Sequence, residues 1–396
     1  MGQVPPRQMN VVFLGSWPPI PGISTYCVAC VRSLAEFIHV RVLTFSSMYP
    51  DWLYPQGPVP NDLTFPTIDS PNVRVERRLA WYNPFGWIWN GLFTKGDLLH
   101  VQCWSLPLAP VLVTVMLCFR LRGKRCVLTA HNLAGHDKKF AYRWMTAILI
   151  RLSSAVITHL PHPPEWFAKL TLRATGQTPV YIPHGVLDLY EEAAKRRSSD
   201  APLLPENARA ILFFGAIRPY KGLDTLLEAF DLVADKIPDV HLIIAGRLWE
   251  PWEKYESLIN GKSWRDRVIF RLDYIPTAEV ARYFDAADLV VLPYKQFESQ
   301  SGVALSAAGM KKPMIVTNVG GLPNLQTDAQ YIVPPGNAKR LATAIEKAMT
   351  QPGELARLKQ VTEQTASTHS WRDAAERTIE VYREVLAHKN AKSEVH

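Results

Sequence analysis

The sequence predicts an α/β protein of two doubly wound parallel-sheet domains, and three observations carry that prediction. The chain has 396 residues, beyond the size at which one hydrophobic core keeps growing. Short β-rich runs alternate with helical patterns along most of it, as in a parallel sheet covered on both faces. The alternation breaks between Val186 and Glu206, where the cluster EEAAKRRSSD is followed by Pro202 and Pro205 and reads as a linker. The expected division is residues 1–190 for a first domain, 191–206 for the linker, 207–371 for a second domain, and 372–396 for a C-terminal helix and tail, the helix packing back on the first domain. Doubly wound sheets in tandem would turn their strand C-termini toward a shared central cleft, where ligands of such sheets bind.

In the first half, strands are expected at Val11–Leu14, Val40–Phe45, Leu98–Val101, Val127–Ala130, Val156–Thr158 and Val180–Ile182. After the first strand the loop GSWPPIPGISTY returns to helix near Ser24. Within it, Gly22 lets the backbone approach a ligand, or simply permits tight strand-to-helix packing. Asn83-Pro84 reads as a helix start, Asn as cap and Pro in the first turn, which sets the aromatics of Trp81–Phe93 toward the sheet. The rival reading is an aromatic membrane anchor, and Arg74, Arg77 and Arg78 keep it open. Leu106–Phe119 is interrupted by Pro107 and Pro110 and stopped by Arg120. It falls short of the roughly 20 residues a spanning helix needs and is expected as a buried helix.

The second half repeats the pattern, with strands expected at Ile211–Phe214, Leu242–Ala245, Val268–Phe270, Leu289–Leu292, Met314–Thr317 and Tyr331–Val333. Beyond Trp371 the run DAAERTIEVYREVLAHK is an amphipathic helix, and the final AKSEVH is expected to be disordered.

Composition narrows the partners. A formal charge of +8 and a pI near 9.2 suit anions: a nucleotide diphosphate, a lipid phosphate or a membrane surface. Nucleic acid is least favoured, since neither an aromatic-basic module nor zinc-finger spacing is present. The five cysteines are odd in number and thinly spread, which points to a reducing compartment. Cys27 and Cys30 form a C-x-x-C without a second pair and inside a helix, so neither redox nor metal chemistry is expected there. MGQVPPRQMN lacks the order of a signal peptide, so a cytoplasmic protein is expected, in peripheral contact with the inner face of an anionic membrane.

The most informative stretch is ILFFGAIRPYKGLDTLLEAF, Ile211 to Phe230, a buried strand, a glycine turn at Gly215 and an amphipathic helix opening near Gly222. The first free N–H groups of that helix would point where Arg218 and Lys221 point, which makes a phosphate-binding corner. A plain strand-to-helix turn carrying a surface lysine is the bland alternative. After Leu289–Leu292, Glu298 lies in a loop and Ser299, Gln300, Ser301 and Gly302 open the next helix, a second set of N–H groups for an anion. Glu298 could bind sugar hydroxyls or merely complement the helix dipole. His131, at the end of Val127–Ala130 and followed by Asn132, His136 and Asp137, could hydrogen-bond a sugar or be tied to neighbouring backbone. His159, His162 and His184 sit at later strand ends without metal-ligand spacing.

Taken together, VVFLGSWPPIPGIS, VLTAHN, IPHGV, FFGAIRPYKGL and PYKQFESQSGVALSAAGMKKPMIVTNVGGLP resemble glycosyltransferase family 4, the retaining transferases of the GT-B fold within glycosyl transferases group 1. The resemblance implies that Lys221 binds the donor diphosphate, that His131 contacts the donor sugar near the reacting carbon, and that Gly22 and Gly215 approach the phosphates. Glu298 matches the first Glu of the family's pair, which holds the transferred sugar, and Ser306 stands where the second Glu would grip the ribose. Losing that charge-assisted bond should weaken donor binding by roughly 1–2 kcal/mol. Ala216 stands where many members have Arg, and Arg218 could supply that charge. Ser301 and Gly302 would donate N–H groups to the donor.

The implied reaction is metal-independent transfer of a hexose, with retention, from a UDP-, GDP- or ADP-sugar to a lipid-linked or saccharide acceptor, as in polysaccharide or glycolipid biosynthesis. It needs no further cofactor. First-domain loops such as Ser46–Asp69 would read the acceptor. Ser306 and Ala216 motivate an alternative, a non-catalytic nucleotide- or sugar-binding protein of the same fold; a sugar-nucleotide epimerase is a weaker third.

Overall fold

The computed structural model describes residues 9–54, 57–66, 68–132, 139–195, 202–206 and 208–393. His136 and Asp137 lie outside them. In chain order the first elements are β1 (Asn10–Leu14), α1 (Ser24–Leu34), β2 (His39–Ser47), β3 (Val73–Ala80), α2 (Pro84–Phe93), β4 (Leu98–Cys103), α3 (Ala109–Leu121), β5 (Arg125–Ala130), α4 (Lys139–Leu152), β6 (Ala155–Thr158), α5 (Glu165–Thr175) and β7 (Val180–Tyr181). Then come α6 (Leu189–Ala194), β8 (Arg209–Phe214), α7 (Leu223–Val233), β9 (Val240–Ala245), α8 (Glu253–Ile259), β10 (Val268–Arg271), α9 (Thr277–Asp285) and β11 (Leu289–Leu292). The last are α10 (Gly302–Gly309), β12 (Met314–Thr317), β13 (Ile332–Val333), α11 (Ala338–Thr350), α12 (Glu354–Thr368) and α13 (Trp371–Ser393).

These elements form two compact units, one of Met1–Pro50, Thr67–Gly185 and Ser370–His396, the other of Asp51–Pro66 and Val186–His369. Each is a Rossmann-like layer structure. The first holds a seven-stranded sheet in the order β3-β2-β1-β4-β5-β6-β7, the second a six-stranded sheet in the order β10-β9-β8-β11-β12-β13. Every pairing is parallel, for instance Val11 opposite Val40 and Leu98, and Ile211 opposite Leu242 and Leu289. In both sheets the strand order reverses beside the unit's first strand, between β1 and β4 and between β8 and β11. There the loops leave in opposite directions and open a crevice at the strand C-termini.

Burial explains the elements. The central strands β1, β4 and β11 are closed to solvent on both faces, as the continuous apolar runs required. In the first unit Leu14, Leu99, Leu112, Phe119, Leu128 and Phe167 share one core. In the second, Phe230 of α7 meets Trp264 edge to face with ring centroids 5.1 Å apart, and the Trp264 indole N–H donates to Asp231 at 2.7 Å. Buried aromatic pairs of this kind contribute about 0.5–1.5 kcal/mol beyond their area. The C-terminal helix α13 belongs to the first unit: Tyr382 is buried beside His100, and Trp371 fills the space a Cβ on Gly185 would need.

Four expectations change. Strand β3 is missing from the sequence reading because it is an edge strand, VRVERRLA, whose arginines face outward around Glu76. Within the expected linker, α6 forms and packs against α9, so the chain passes to the second unit at Val186 rather than after residue 190. Ala391–Ser393 of the expected tail are helical. The loop assigned to the first domain, Ser46–Asp69, is split, since Asp51–Pro66 packs with the second unit. α3 forms where the buried helix was expected, and no described helix is long and apolar enough to cross a membrane.

Asp62 anchors that segment. Its carboxylate accepts from the N–H (2.8 Å) and hydroxyl (2.6 Å) of Thr277 at the start of α9, from the Tyr274 hydroxyl (2.9 Å), and from the N–H and hydroxyl of Thr64. Burial alone would raise its pKa, but the bonds to Thr277 and Thr64 outweigh it and hold the group below the usual carboxylate range. A depressed folded pKa contributes stability above the unfolded value of about 4, lost as pH falls through the folded value. Asp62→Ala is therefore expected to cost roughly 1–3 kcal/mol at neutral pH, with faster amide exchange across 57–66. Denaturant unfolding of the two proteins should converge toward pH 3; an equal gap at pH 3 and pH 7 would refute the assignment.

Candidate functional site

The second unit gathers its charged groups at the switch between β8 and β11. Gly215 follows β8 with φ +91°, and Gly222 caps α7 with φ +71°. Neither position can carry a side chain without strain: a Cβ on Gly222 would lie 2.0 Å from the Pro293 carbonyl oxygen. On Gly215 it would lie 3.0 Å from Lys221 Nζ and 3.1 Å from Val303. The 3-10 turn Pro219–Lys221 between these glycines folds Lys221 inward until only 6% of it is exposed. Its Nζ stands 5.4 Å from the Tyr294 ring centre, with neither an ion pair nor a hydrogen bond among the described residues. Burial, with a smaller contribution from the Arg218 charge, pulls the ammonium down to a pKa of about 7. Arg218 is half-buried, its guanidinium 4.0 Å above the Trp249 ring.

The start of α10 borders the same turn, because Val303 is the residue a Cβ on Gly215 would meet. Ser301 caps this helix, accepting from Ala304 N at 3.3 Å, and its hydroxyl lies 3.0 Å from that of Tyr294. Gly215, Lys221, Tyr294 and the Ser301–Val303 start thus form one corner, with a buried cation, the N–H groups of a helix start and backbone able to approach closely. Such a corner binds an anion. Glu298 is an exposed carboxylate in the loop before it. Ser306 is buried and donates its hydroxyl to the Gly302 carbonyl at 2.8 Å, so its proton is already used within α10. Ala216, where an arginine was the alternative, is half-buried beside Gly215. Sequence reading missed Tyr294, which joins Lys221 to Ser301, and Trp249, which holds Arg218. It also missed the Gln300 amide, whose nitrogen and oxygen are both buried without a partner among the described residues. Spacing gives no signal for these contacts.

His131 and Gly22 belong to the first unit. Gly22 has φ +129° and is exposed, with Met48 and Ser16 nearest the place of a Cβ. His131 is half-buried and part of a larger group. Its ring meets Tyr26 edge-on at 4.4 Å between centroids, and Tyr26 also touches His159, His184 and Trp371. His131 Nε2 is 2.9 Å from Gln102 Oε1; Gln102 Nε2 is 3.1 Å from His100 Nε2; His100 Nδ1 is 2.6 Å from the Tyr382 hydroxyl. The group thus draws His100 from within β4 and His131, His159 and His184 from beyond the ends of β5, β6 and β7. Burial drives His100 to about 3 and His159 to about 4, and, with repulsion from the other three, holds His131 well below its usual value. The rings of His100, His131 and His159 are neutral at pH 7, suited to hydrogen bonding and not to carrying charge. His162 is exposed and apart. All five cysteines are buried and unpaired, and burial, opposed by a bond with Tyr26, pushes Cys30 up to about 12, so the C-x-x-C is inert packing. No group of three or more His, Cys, Asp or Glu among the described residues could hold a metal ion.

Residues 194–365 match the family model described as glycosyl transferases group 1. A GDP-mannose:glycolipid 4-beta-D-mannosyltransferase of Xanthomonas campestris pv. campestris is 30% identical over 210 residues, 51% of this chain and 52% of that protein. A D-inositol 3-phosphate glycosyltransferase of Corynebacterium glutamicum is 27% identical over 228 residues, 55% of this chain and 54% of that one. The chain thus spans about half the length of the curated relatives it matches. Among solved structures, sucrose-phosphate synthase from Thermosynechococcus elongatus superposes with a TM-score of 0.69 at 18% identity, covering 96% of this chain and all of that one. HepE of Anabaena, solved with UDP-glucose, gives 0.69 at 16%, covering 95% and 100%. At such identities the similarity is one of fold, and the fold is GT-B, two Rossmann-like units.

The buried amine has a stability signature. Unfolded, Lys221 keeps its proton to about pH 10.5, whereas folded it loses it above about 7. The unfolded chain therefore holds the extra proton in that window, and stability rises with pH across it. Lys221→Met lacks this dependence. It is expected to be more stable than wild type by about 0.5–2 kcal/mol at pH 7, the gap closing toward pH 10. A gap that stays constant in urea titrations across that range would mean that the folded amine is hydrated.

Proposed function

We propose that the protein is a glycosyltransferase that moves a hexose from a nucleotide-diphosphate sugar to a hydroxyl of a lipid-linked or saccharide acceptor. One observation carries the reading. Lys221 is a buried, unpaired amine set against a positive-φ glycine turn and a helix start, an arrangement that costs stability until a diphosphate neutralises it. The match of residues 194–365 to glycosyl transferases group 1 supports it.

The chemistry follows from the corner. As the bond from the anomeric carbon to the diphosphate oxygen breaks, negative charge grows on that oxygen. Lys221, Arg218 and the N–H groups at Ser301–Val303 are already oriented to receive it. The acceptor oxygen forms the new bond to the anomeric carbon and passes its proton to a donor phosphate oxygen, so no metal or paired carboxylate is required. Glu298 would hold the hydroxyls of the sugar, and His131, neutral, would hydrogen-bond it near the reacting carbon. With its proton used inside α10, Ser306 offers the ribose only acceptor lone pairs, and the Gln300 amide, unpartnered among the described residues, is a further donor and acceptor before the same helix.

Retention of configuration is the outcome that the family resemblance implies. The beta linkage in the name of the Xanthomonas relative favours a second reading, inversion from an α-linked donor. The anomeric proton coupling of the product, followed by NMR from the first turnovers, separates the two.

Diphosphate binding should raise the Lys221 pKa, so the complex takes up a proton and affinity falls as pH rises above about 7. In thermal shift and calorimetry with UDP, GDP and ADP, one base is expected to stabilise the protein selectively. Lys221→Met should weaken that nucleotide by roughly tenfold or more and abolish proton uptake. Binding without turnover over a panel of sugars and acceptors would leave a non-catalytic binding protein; no shift at millimolar nucleotide would sink the donor-site reading.

A further inference from the structure

The aromatic stretch expected to face the sheet does the opposite. Asn83 caps α2 as predicted, accepting from Gly86 N at 3.0 Å. The helix then packs on α3 through a narrow seam, where Gly91 lies so close to Cys118 that a Cβ would come within 2.5 Å of it. Trp87 turns inward, its indole N–H donating to the Ala80 carbonyl at 2.6 Å. Asn90 and Gly91 are the buried residues of the helix, and the large side chains are left outside. Phe85 is 83% exposed and Trp89 62%, with the Phe93 ring tilted against that of Trp89. The face continues across the neighbours that α3 packs against, with Leu121 of α3 at 82% and Phe140 and Trp144 of α4 at 85% and 65%. These helices cover one side of the first sheet, so their outer surfaces form one face of that unit.

Among the described residues of α2, α3 and α4, the exposed charged side chains are all cationic. From Arg77 to Pro164 the sequence has eleven Lys and Arg but only Asp97 and Asp137 as acids. Asp97 is engaged with the backbone N–H of Asn10 at 2.8 Å. Lys95, Arg120, Arg143 and Arg151 are exposed among or beside the aromatics. Monomeric proteins rarely expose this many large apolar side chains together. Tryptophan and phenylalanine beside cations fit the boundary between headgroups and acyl chains of an anionic bilayer.

We propose that the outer face of α2, α3 and α4 docks peripherally on a membrane carrying anionic lipids, with Phe85, Trp89, Phe93, Leu121, Phe140 and Trp144 entering the interface and the surrounding arginines and lysines meeting the headgroups. This inference stands apart from the donor site, since every residue in it belongs to the first unit.

Cosedimentation of the full chain with vesicles tests it. Wild type is expected to pellet with phosphatidylcholine containing about 30% phosphatidylglycerol, to release in high salt, and to bind pure phosphatidylcholine at least about tenfold more weakly. The combined Phe85→Ser, Trp89→Ser and Trp144→Ser variant should lose roughly tenfold or more of that binding with an unchanged melting curve. Should that variant not fold, Arg120→Glu with Arg143→Glu, two exposed changes, decides alone by the same loss. Wild type remaining in the supernatant, variants binding as well as wild type, or a vesicle-independent dimer that the aromatic variant abolishes would each overturn the proposal, the last by assigning the face to a second copy.

Discussion

Backbone meets backbone at the carboxyl ends of β8, β9 and β11, and the second unit is organised around that contact. A Cβ on Gly246, after β9, would fall 2.1 Å from the Gly215 carbonyl oxygen, and one on Gly222 2.0 Å from that of Pro293. No flexible side chain is available there to give way. The turns can approach only because Gly222 and Gly246 lack a side chain, and the approach drives Lys221 into a space with little water. Its ammonium loses hydration without gaining a counter-ion, the state in which an arriving anion gains most. The helix starts of α7 and α10 meet that space because the strand order reverses between β8 and β11.

The first unit uses its strand ends differently. Its histidines share hydrogen bonds with Gln102, Thr129 and Tyr382 and pack around the Tyr26 ring, which keeps them neutral. Part of the enclosure comes from the far end of the chain, as Trp371 and Tyr382 both lie on α13. The geometry of His131 is therefore set by residues more than 200 positions away in sequence, and the positive potential that the second unit concentrates at its corner has no counterpart here. One unit offers charge and the other neutral hydrogen-bonding groups.

Exposed aromatics on α2 show where pattern reading fails. Asn83-Pro84 marked the helix start correctly because capping is local chemistry, settled within three residues. Which face the helix buries is not local. Phe, Trp and Ile occur on all sides of α2, so periodicity could not choose, and the choice fell to Gly91, whose missing side chain lets the thin edge of the helix seat on Cys118. The same limit explains β3, whose three arginines look like a solvated loop until β2 is seen beside it.

Sequence alone determined the fold class, most strands to within one or two residues, the helix starts at Ser24 and Gly222, and the residue types of the Gly215–Lys221 corner, because apolar runs, glycines and caps act over a few neighbours. Tertiary structure decided what those residues became. It made Lys221 a buried amine and not a surface one, used the Ser306 proton inside its own helix, and left the Gln300 amide without a partner among the described residues. It also joined residues 51–66 to the second unit through Asp62. Burial and hydrogen-bond partners are properties of the whole packed chain: they depend on which distant segments arrive, and no window of sequence contains both sides of such a contact.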